Sequence, residues 1–472
     1  MWRKKLKNYI ESHREEMIED LRTLVAIESM RGEAQPGKPY GEGPAKALEA
    51  AGKMMASYGF SVTNYDNRVV TGDFNENEKG LDILAHLDVV PVTPENWTKT
   101  KPFELKVIDG NIYGRGTIDD KGPAIAALYA MRAIKECGLT LTKNVRLILG
   151  SDEECGSSDL EYYYSKEQEA PVSFTPDADF PLINLEKGRL AKSLRAEFTE
   201  KPDKKDILEL HGGDKVNVVP AGAWAVVTGI EKAALEEAFA RDKSGVEFTT
   251  KSCEKGIRID AKGLASHACM PQQGKNAVCA LAGLLAELFR TNNLQSEKSE
   301  RVSVIEKLAE LFPYGDTEGK AFGIAMEDEI SGSLTMNLGI ADMDEQGILM
   351  TFDSRIPVCG NDENVTAVIG EKAVKAGFKM EEGAMTPPHY VPADTPFVKT
   401  LLDAYERYSG KKGEALSTGG GTYVHELKNG VAFGCMMEGA DNNMHGDDEF
   451  ISEDMLLMSA KIFADAIYEL CR

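Results

Sequence analysis

Apolar side chains recur at helical spacing through residues 4–27, with Tyr9, Ile10, Met17, Leu21, Leu24 and Val25 on one stripe, which predicts an amphipathic helix. A second helix is predicted near Gly43–Tyr58, with Gly59 placed to stop it. Short apolar runs with β character follow at Ser61–Val70, Leu81–Leu87, Val145–Leu149 and Pro171–Thr175. Between the second and third lies an alanine- and leucine-rich helical stretch, Gly122–Cys137. Strands alternating with helices predict an α/β layer, its sheet mostly parallel and flanked by helices.

From about Leu190 the pattern changes. Strand-like runs at Leu190–Phe198, Ile207–His211, Ala223–Val227, Gly256–Ala261, Leu334–Ile340 and Gly347–Ile356 alternate with helices at Lys232–Ala240, Asn276–Leu288 and Glu363–Ala376. This stretch predicts a separate α+β domain. The α/β pattern resumes after Pro387-Pro388 with helices at Phe397–Tyr408 and Glu453–Leu470. The expected organisation is one domain in two pieces, 1–186 and 385–472, with a second domain, 187–384, inserted between them.

A chain of 472 residues exceeds what a single core serves comfortably, which agrees with two domains. Acidic residues outnumber basic ones by 77 to 54, for a formal charge of −23. Binding a phosphate backbone needs a basic surface that releases counterions, and no Lys/Arg-dense stripe occurs, so nucleic acid is excluded as a partner. The eight cysteines form no CxxC pair and read as reduced thiols. The basic stretch Met1–Asn8 is followed by no apolar signal region, and no run approaches the ~18 apolar residues of a membrane span. A cytoplasmic protein without membrane contact is expected.

Candidate chemistry sits in five strings, all outside the inserted stretch. In Ile83-Leu84-Ala85-His86-Leu87-Asp88, His86 and Asp88 share one face of a strand end. A carboxylate there can accept the free N–H of a metal-bound imidazole, or the two can form a simple surface pair. Gly114-Arg115-Gly116-Thr117-Ile118-Asp119-Asp120 brings two acids to a helix start, as ligands or as caps. Ser151-Asp152-Glu153-Glu154-Cys155 puts acids directly after a buried-looking strand, where α/β sheets present their ligands. Adjacent side chains diverge, so Glu153 and Glu154 should do different jobs. Phe174-Thr175-Pro176-Asp177 and Asn443-Met444-His445-Gly446-Asp447-Asp448-Glu449 complete the set. Two histidines with several carboxylates form a mixed N/O donor set suited to Zn²⁺, Mn²⁺ or Co²⁺.

Together these strings resemble the M20 family of metallopeptidases, and most closely its PepV-like bacterial dipeptidases. The resemblance spans nearly the whole chain and includes HLDVVP, GRGTIDDKGP, SDEECGSS, FTPDADFP, ASHACMPQQGKNA, FDSRIPV, GGGTY and MHGDDE in family order. It implies an α/β catalytic domain carrying an inserted α+β lid. It also implies two divalent ions, Zn²⁺ or Mn²⁺ with Co²⁺ as a further option: His86 and Asp177 on one, Glu154 and His445 on the other, Asp119 bridging. Asp88 would orient His86, the Asp119–Asp120 peptide would be cis, and Glu153 would be the general base toward the bridging water. In the lid, His267 would support the developing oxyanion, while Asn217 and Arg355 would hold the substrate's C-terminal carboxylate. The implied activity is hydrolysis of unblocked dipeptides, with Asp120 a candidate contact for the free amine. The long lid implies a monomer. The rival readings are an N-acyl-amino-acid deacylase or desuccinylase of the same fold, and a non-catalytic metal- or peptide-binding relative. The chain departs from the family pattern at His425, where relatives usually carry arginine, and in HGDDE, where HQANE is commoner. Cys155, beside Glu154, reads as a small packed residue or a redox-sensitive thiol.

Overall fold

Alternation along the strand Lys79–His86 sorts its side chains onto two sides. Leu81, Ile83 and Ala85 enter an apolar cluster with Ala124, Leu128 and Met131 of helix Lys121–Glu136 and with Phe463 and Ile467 of helix Glu453–Cys471. Leu84 joins a smaller cluster with Leu160, Tyr163 and Val424. The neighbouring strand Asn144–Gly150 repeats the division, with Val145, Leu147 and Leu149 on one side and Ile148 on the other. Burial on both faces is why these strands read as unbroken apolar runs.

The computed structural model describes residues 1–292, 299–437 and 439–472. The sheet runs Ser61–Tyr65, Val69–Asp73, Asn144–Gly150, Lys79–His86, Val172–Thr175, Gly430–Ala432, Ile183–Glu186 and His389–Tyr390, with Leu416–Thr418 also paired to Ile183–Glu186. Pairing is parallel from Asn144–Gly150 through to Gly430–Ala432. It turns antiparallel toward both margins, apart from the parallel pairing of Leu416–Thr418 with Ile183–Glu186. The parallel character expected of the sheet is thus concentrated at its centre. One cause is local: Ser61–Val70, read as a single strand, is a hairpin turned by Asp66 and Asn67 at φ 52° and 53°. Asp and Asn tolerate this left-handed conformation and so favour tight hairpin turns.

The long first helix is likewise two, Trp2–Ser12 and Arg14–Val25, meeting at His13, whose ring stacks on Tyr9 with centroids 3.9 Å apart. Both halves still bury Leu6, Ile10, Met17, Leu21 and Leu24 in the same cluster.

Residues Met1–Glu186 and His389–Arg472 form one unit and Lys187–Pro388 the other. The chain returns to the first unit after Pro388 rather than at 385, because Thr386 still bridges Arg189 and Met385 packs in the second unit's core. That unit holds an antiparallel sheet in the order Glu247–Cys253, Gly256–Lys262, Gly222–Thr228, Asp206–Gly212, Thr335–Met343, Gly347–Ile356, Gly188–Glu197, Lys379–Met380. Helices Ala277–Asn292 and Glu300–Leu311 contribute Leu281, Leu285, Ile305 and Leu308 to its core. Among the described residues no helix is long and apolar enough to cross a membrane. All eight cysteines are free thiols.

Candidate metal centre

Three of the four central parallel strands deliver their following residues to one end of the sheet, where α/β folds usually carry chemistry. His86 closes Lys79–His86, Glu153 and Glu154 form the short turn after Asn144–Gly150, and Asp177 follows Val172–Thr175. Asp119 comes from the loop entering helix Lys121–Glu136, across a cis peptide to Asp120. His445 sits in a loop with Asn443, His445 and Asp448 all at positive φ.

These residues converge. His86 Nε2 lies 2.9 Å from Asp119 Oδ1 and 3.5 Å from Asp177 Oδ2. His445 Nε2 lies 2.6 Å from Asp119 Oδ2 and 3.3 Å from Glu154 Oε1. The two oxygens of Asp119 therefore face different imidazoles. One donor atom each from His86, Glu153 and Asp177 falls within 4.8 Å of the others, as does one each from His86, Asp119 and Glu154.

The charge balance of this cluster is lopsided. Burial, reinforced by the neighbouring carboxylates, pushes Glu153 well above the usual carboxylate range, and Asp177 and Glu154 are raised by the same causes. Hydrogen bonds to Asp119 and Glu154 push His445 up to about 10. Burial opposes ionisation of Asp119, but the two imidazoles outweigh it and hold that carboxyl below its ordinary value. Acids that resist losing protons beside bases that resist giving them up mark a pocket short of positive charge. His86 Nε2, fully buried, has no hydrogen-bond partner of acceptable geometry despite the nearby carboxylates. A buried, unpartnered imidazole nitrogen among clustered carboxylates is a donor set suited to a divalent cation, and the residues present fit one.

Supporting contacts fix the ligand-bearing loops. Asp88 does more than face His86: its carboxylate accepts the N–H groups of Glu153 at 3.2 Å and Glu154 at 3.1 Å, while His86 Nδ1 lies closer to the Asp88 carbonyl (3.1 Å) than to its carboxylate (3.5 Å). Asp159 Oδ2 accepts from Asp152 N at 3.0 Å and from the Tyr423 hydroxyl at 2.5 Å. A Cβ at Gly150 would come within 2.0 Å of that hydroxyl, so the strand end must be glycine. Buried Glu449 accepts from the backbone N–H of Gly116 (2.9 Å) and Ile118 (3.1 Å) and pairs with buried Arg115, fastening the Asp119 loop. Asp448 accepts from Thr98 N and Lys99 N, both at 2.8 Å, and anchors the His445 loop. Asp159 and Glu449 went unassigned from sequence, because their partners lie elsewhere along the chain and only an acid near a motif marks them. Asp120 is wholly buried, with Oδ2 accepting the His86 N–H at 3.0 Å, so it braces the strand end and offers no surface to a substrate amine. His425 is engaged by Glu186, Nδ1 to Oε2 at 2.8 Å. Cys155 is exposed, not packed.

Asn217, His267 and Arg355 belong to the second unit. A β-bridge joins Val218 to His267, and Ala268 N donates to Asn217 O at 2.9 Å, which brings two of the three side by side. Arg355 ends Gly347–Ile356, with Nε 2.7 Å from Asp353 Oδ1. Asp353 also accepts from Arg189 Nε at 3.0 Å. Burial first, then the Arg355 charge, holds the His267 imidazole below its ordinary pKa.

The profile described as "Peptidase family M20/M25/M40" matches residues 83–469. The chain is 37% identical over 472 residues to the "Putative dipeptidase YtjP" of Bacillus subtilis (strain 168), covering 97% of this chain and 98% of that protein. It is 34% identical over 483 residues to a "Putative dipeptidase" of Staphylococcus epidermidis, covering 100% and 99%. Among solved structures, human carnosine dipeptidase 1 superposes with a TM-score of 0.61 at 16% identity, covering 100% of this chain and 99% of that one. The Saccharomyces cerevisiae di-peptidase Dug1p gives 0.58 at 13%, covering 99% and 98%. At these identities the structural likeness speaks for the fold.

Proposed function

The chain belongs to peptidase family M20/M25/M40 and is a metallopeptidase; from that premise we propose that it is a cytoplasmic, monomeric dipeptidase that cleaves unblocked dipeptides. In this reading His86 and Asp177 would hold one divalent cation, Glu154 and His445 would hold a second, and Asp119 would serve both. The observation that carries it is the placing of Asp119, whose two oxygens face His86 Nε2 and His445 Nε2 from opposite ends of one carboxylate. Cations seated there would polarise a scissile carbonyl and acidify water. The mixed imidazole and carboxylate set accommodates Zn²⁺, Mn²⁺ or Co²⁺.

The chain's own residues do the rest. Glu153, beside the His86–Asp177 group and raised in pKa by burial, takes the proton of the attacking water on its carboxylate and passes it to the leaving amine nitrogen. Asp88 holds Glu153 and Glu154 in register through their backbone N–H groups. In the second unit, Asn217 and Arg355 are assigned to the substrate's terminal carboxylate and His267 to the scissile carbonyl oxygen. A planar guanidinium suits a carboxylate, and Asp353 keeps its fork oriented.

The test is reconstitution. Metal-stripped protein receives Zn²⁺, Mn²⁺ or Co²⁺ separately and is offered L-alanyl-L-leucine and its N-acetyl analogue, with free amino acid release as readout. The proposal expects metal-dependent hydrolysis of the free dipeptide alone. Preference for the N-acetyl compound would replace it with a deacylase, and no release with any ion would leave a non-catalytic relative.

A further inference from the structure

His267 begins a tight turn in which Met270 N donates to the His267 carbonyl at 2.9 Å. The turn folds Cys269 back over the imidazole. Two groups of Cys269 then meet Nδ1: the backbone N–H at 3.1 Å and the thiol Sγ at 2.8 Å. A backbone N–H can only donate, so Nδ1 must present its lone pair. Burial raises the Cys269 thiol above its ordinary pKa, with Asp353 acting in the same direction and Arg355 and Lys187 against it, so sulfur keeps its hydrogen and adds a second donor. Partial desolvation, with Arg355 and Arg189 acting against Asp353, lowers the imidazole below its ordinary pKa and so favours the neutral ring. A neutral ring that accepts at Nδ1 carries its hydrogen on Nε2. Among the described residues nothing is hydrogen-bonded to Nε2, and the side chain is exposed.

We propose that Cys269 is a positioning residue that fixes His267 as the Nε2–H tautomer, making it a hydrogen-bond donor toward a carbonyl oxygen of the substrate. The tautomer follows from the turn alone; its consequence for turnover rests on the assignment of His267 to the scissile carbonyl. An acceptor opposite Nδ1 would draw the hydrogen to that side and turn Nε2 into an acceptor, which repels a developing oxyanion. Serine in place of Cys269 retains a donor and should preserve the arrangement.

The experiment uses full-length protein, labelled with ¹⁵N-histidine and loaded with Zn²⁺. Long-range ¹H–¹⁵N correlation spectra report the tautomer, and His267→Gln identifies the resonance. The expected result is an Nε2–H pattern in the wild type and in Cys269→Ser. In Cys269→Asp, the pattern should become Nδ1–H or doubly protonated, with kcat on L-alanyl-L-leucine falling ~10²-fold, the scale of a lost oxyanion donor, at little change in KM. A wild type found as Nδ1–H overturns the proposal without any variant. So does an Nε2–H pattern that survives Cys269→Asp in folded protein. A tautomer that switches while kcat stays put supports the positioning role and instead removes His267 from the reaction.

Discussion

Replacing Asp88 with asparagine isolates what that carboxylate contributes. The side chain is 1% exposed, and its two oxygens accept from Glu153 N and Glu154 N at 3.2 and 3.1 Å, with His86 Nδ1 3.5 Å away. Asparagine keeps one acceptor and turns an NH₂ against an N–H donor. The loss is at least one charge-assisted hydrogen bond in a dry site, ~1.5–3 kcal/mol, or about 10- to 150-fold in an equilibrium constant. Because the bond holds the turn that carries Glu154, the weakening should appear in metal affinity, where loss of an outer-sphere partner typically costs about 10–100-fold. Calorimetric titration of metal-stripped Asp88→Asn with Mn²⁺ or Zn²⁺, beside dipeptide hydrolysis at saturating metal, separates binding from rate. Unchanged affinity and unchanged kcat in a folded variant would refute the role given to Asp88.

Four further outcomes are expected. Glu153→Gln should lower kcat by ~10²–10⁴-fold while retaining bound metal by elemental analysis, because it removes proton transfer and not a ligand; joint loss of metal would make Glu153 a ligand. Asp119→Ala should instead lose metal and activity together, since both imidazoles face that one carboxylate. Glu449→Ala strands buried Arg115 and should destabilise the protein by ~3–5 kcal/mol, read as a lowered denaturant midpoint. Asp82 is buried, with one oxygen on Ala170 N and the other unpartnered, and burial pushes its pKa up to about 6 from an ordinary 3.8. Its folded form thus holds the proton more tightly than its unfolded form, so stability is complete below about pH 4 and declines as pH rises through about 6. Asp82→Asn should accordingly gain ~2–3 kcal/mol over wild type at pH 8 and nothing below pH 4, checked by unfolding at both pH values.

Part of the site was legible because three of the five candidate ligands, and Glu153 beside them, sit at the end of an apolar run. Asp119 and His445 come instead from loops and were marked by their glycine- and acid-rich surroundings. His86, Glu153, Glu154 and Asp177 all follow central parallel strands, whose buried faces write themselves as Leu81–Leu87, Val145–Leu149 and Pro171–Thr175. Sheet margins were harder to read. The hairpin at Asp66 and Asn67 interrupts an apolar run with only two turn-competent residues, and His13 breaks a helix without glycine or proline. The edge strand Glu247–Cys253 is mostly exposed and carries no apolar alternation, so periodicity could not mark it. The clamps escaped for another reason. Asp159 and Glu449, and Asp88 in its contacts to Glu153 and Glu154 beyond the expected role toward His86, act on backbone N–H groups, which every residue has, so no residue type announces the partner. Asp120 shows the converse: adjacency to a ligand suggested substrate contact, yet the side chain turns inward to the His86 N–H.

The central claim is that two cations share Asp119. Crystals of the protein soaked in Mn²⁺, with data collected to give anomalous differences, test it most directly. Two anomalous peaks should flank the Asp119 carboxylate, one bounded by His86 and Asp177 and the other by Glu154 and His445. A single peak, or peaks that leave either histidine uncoordinated, would contradict the account.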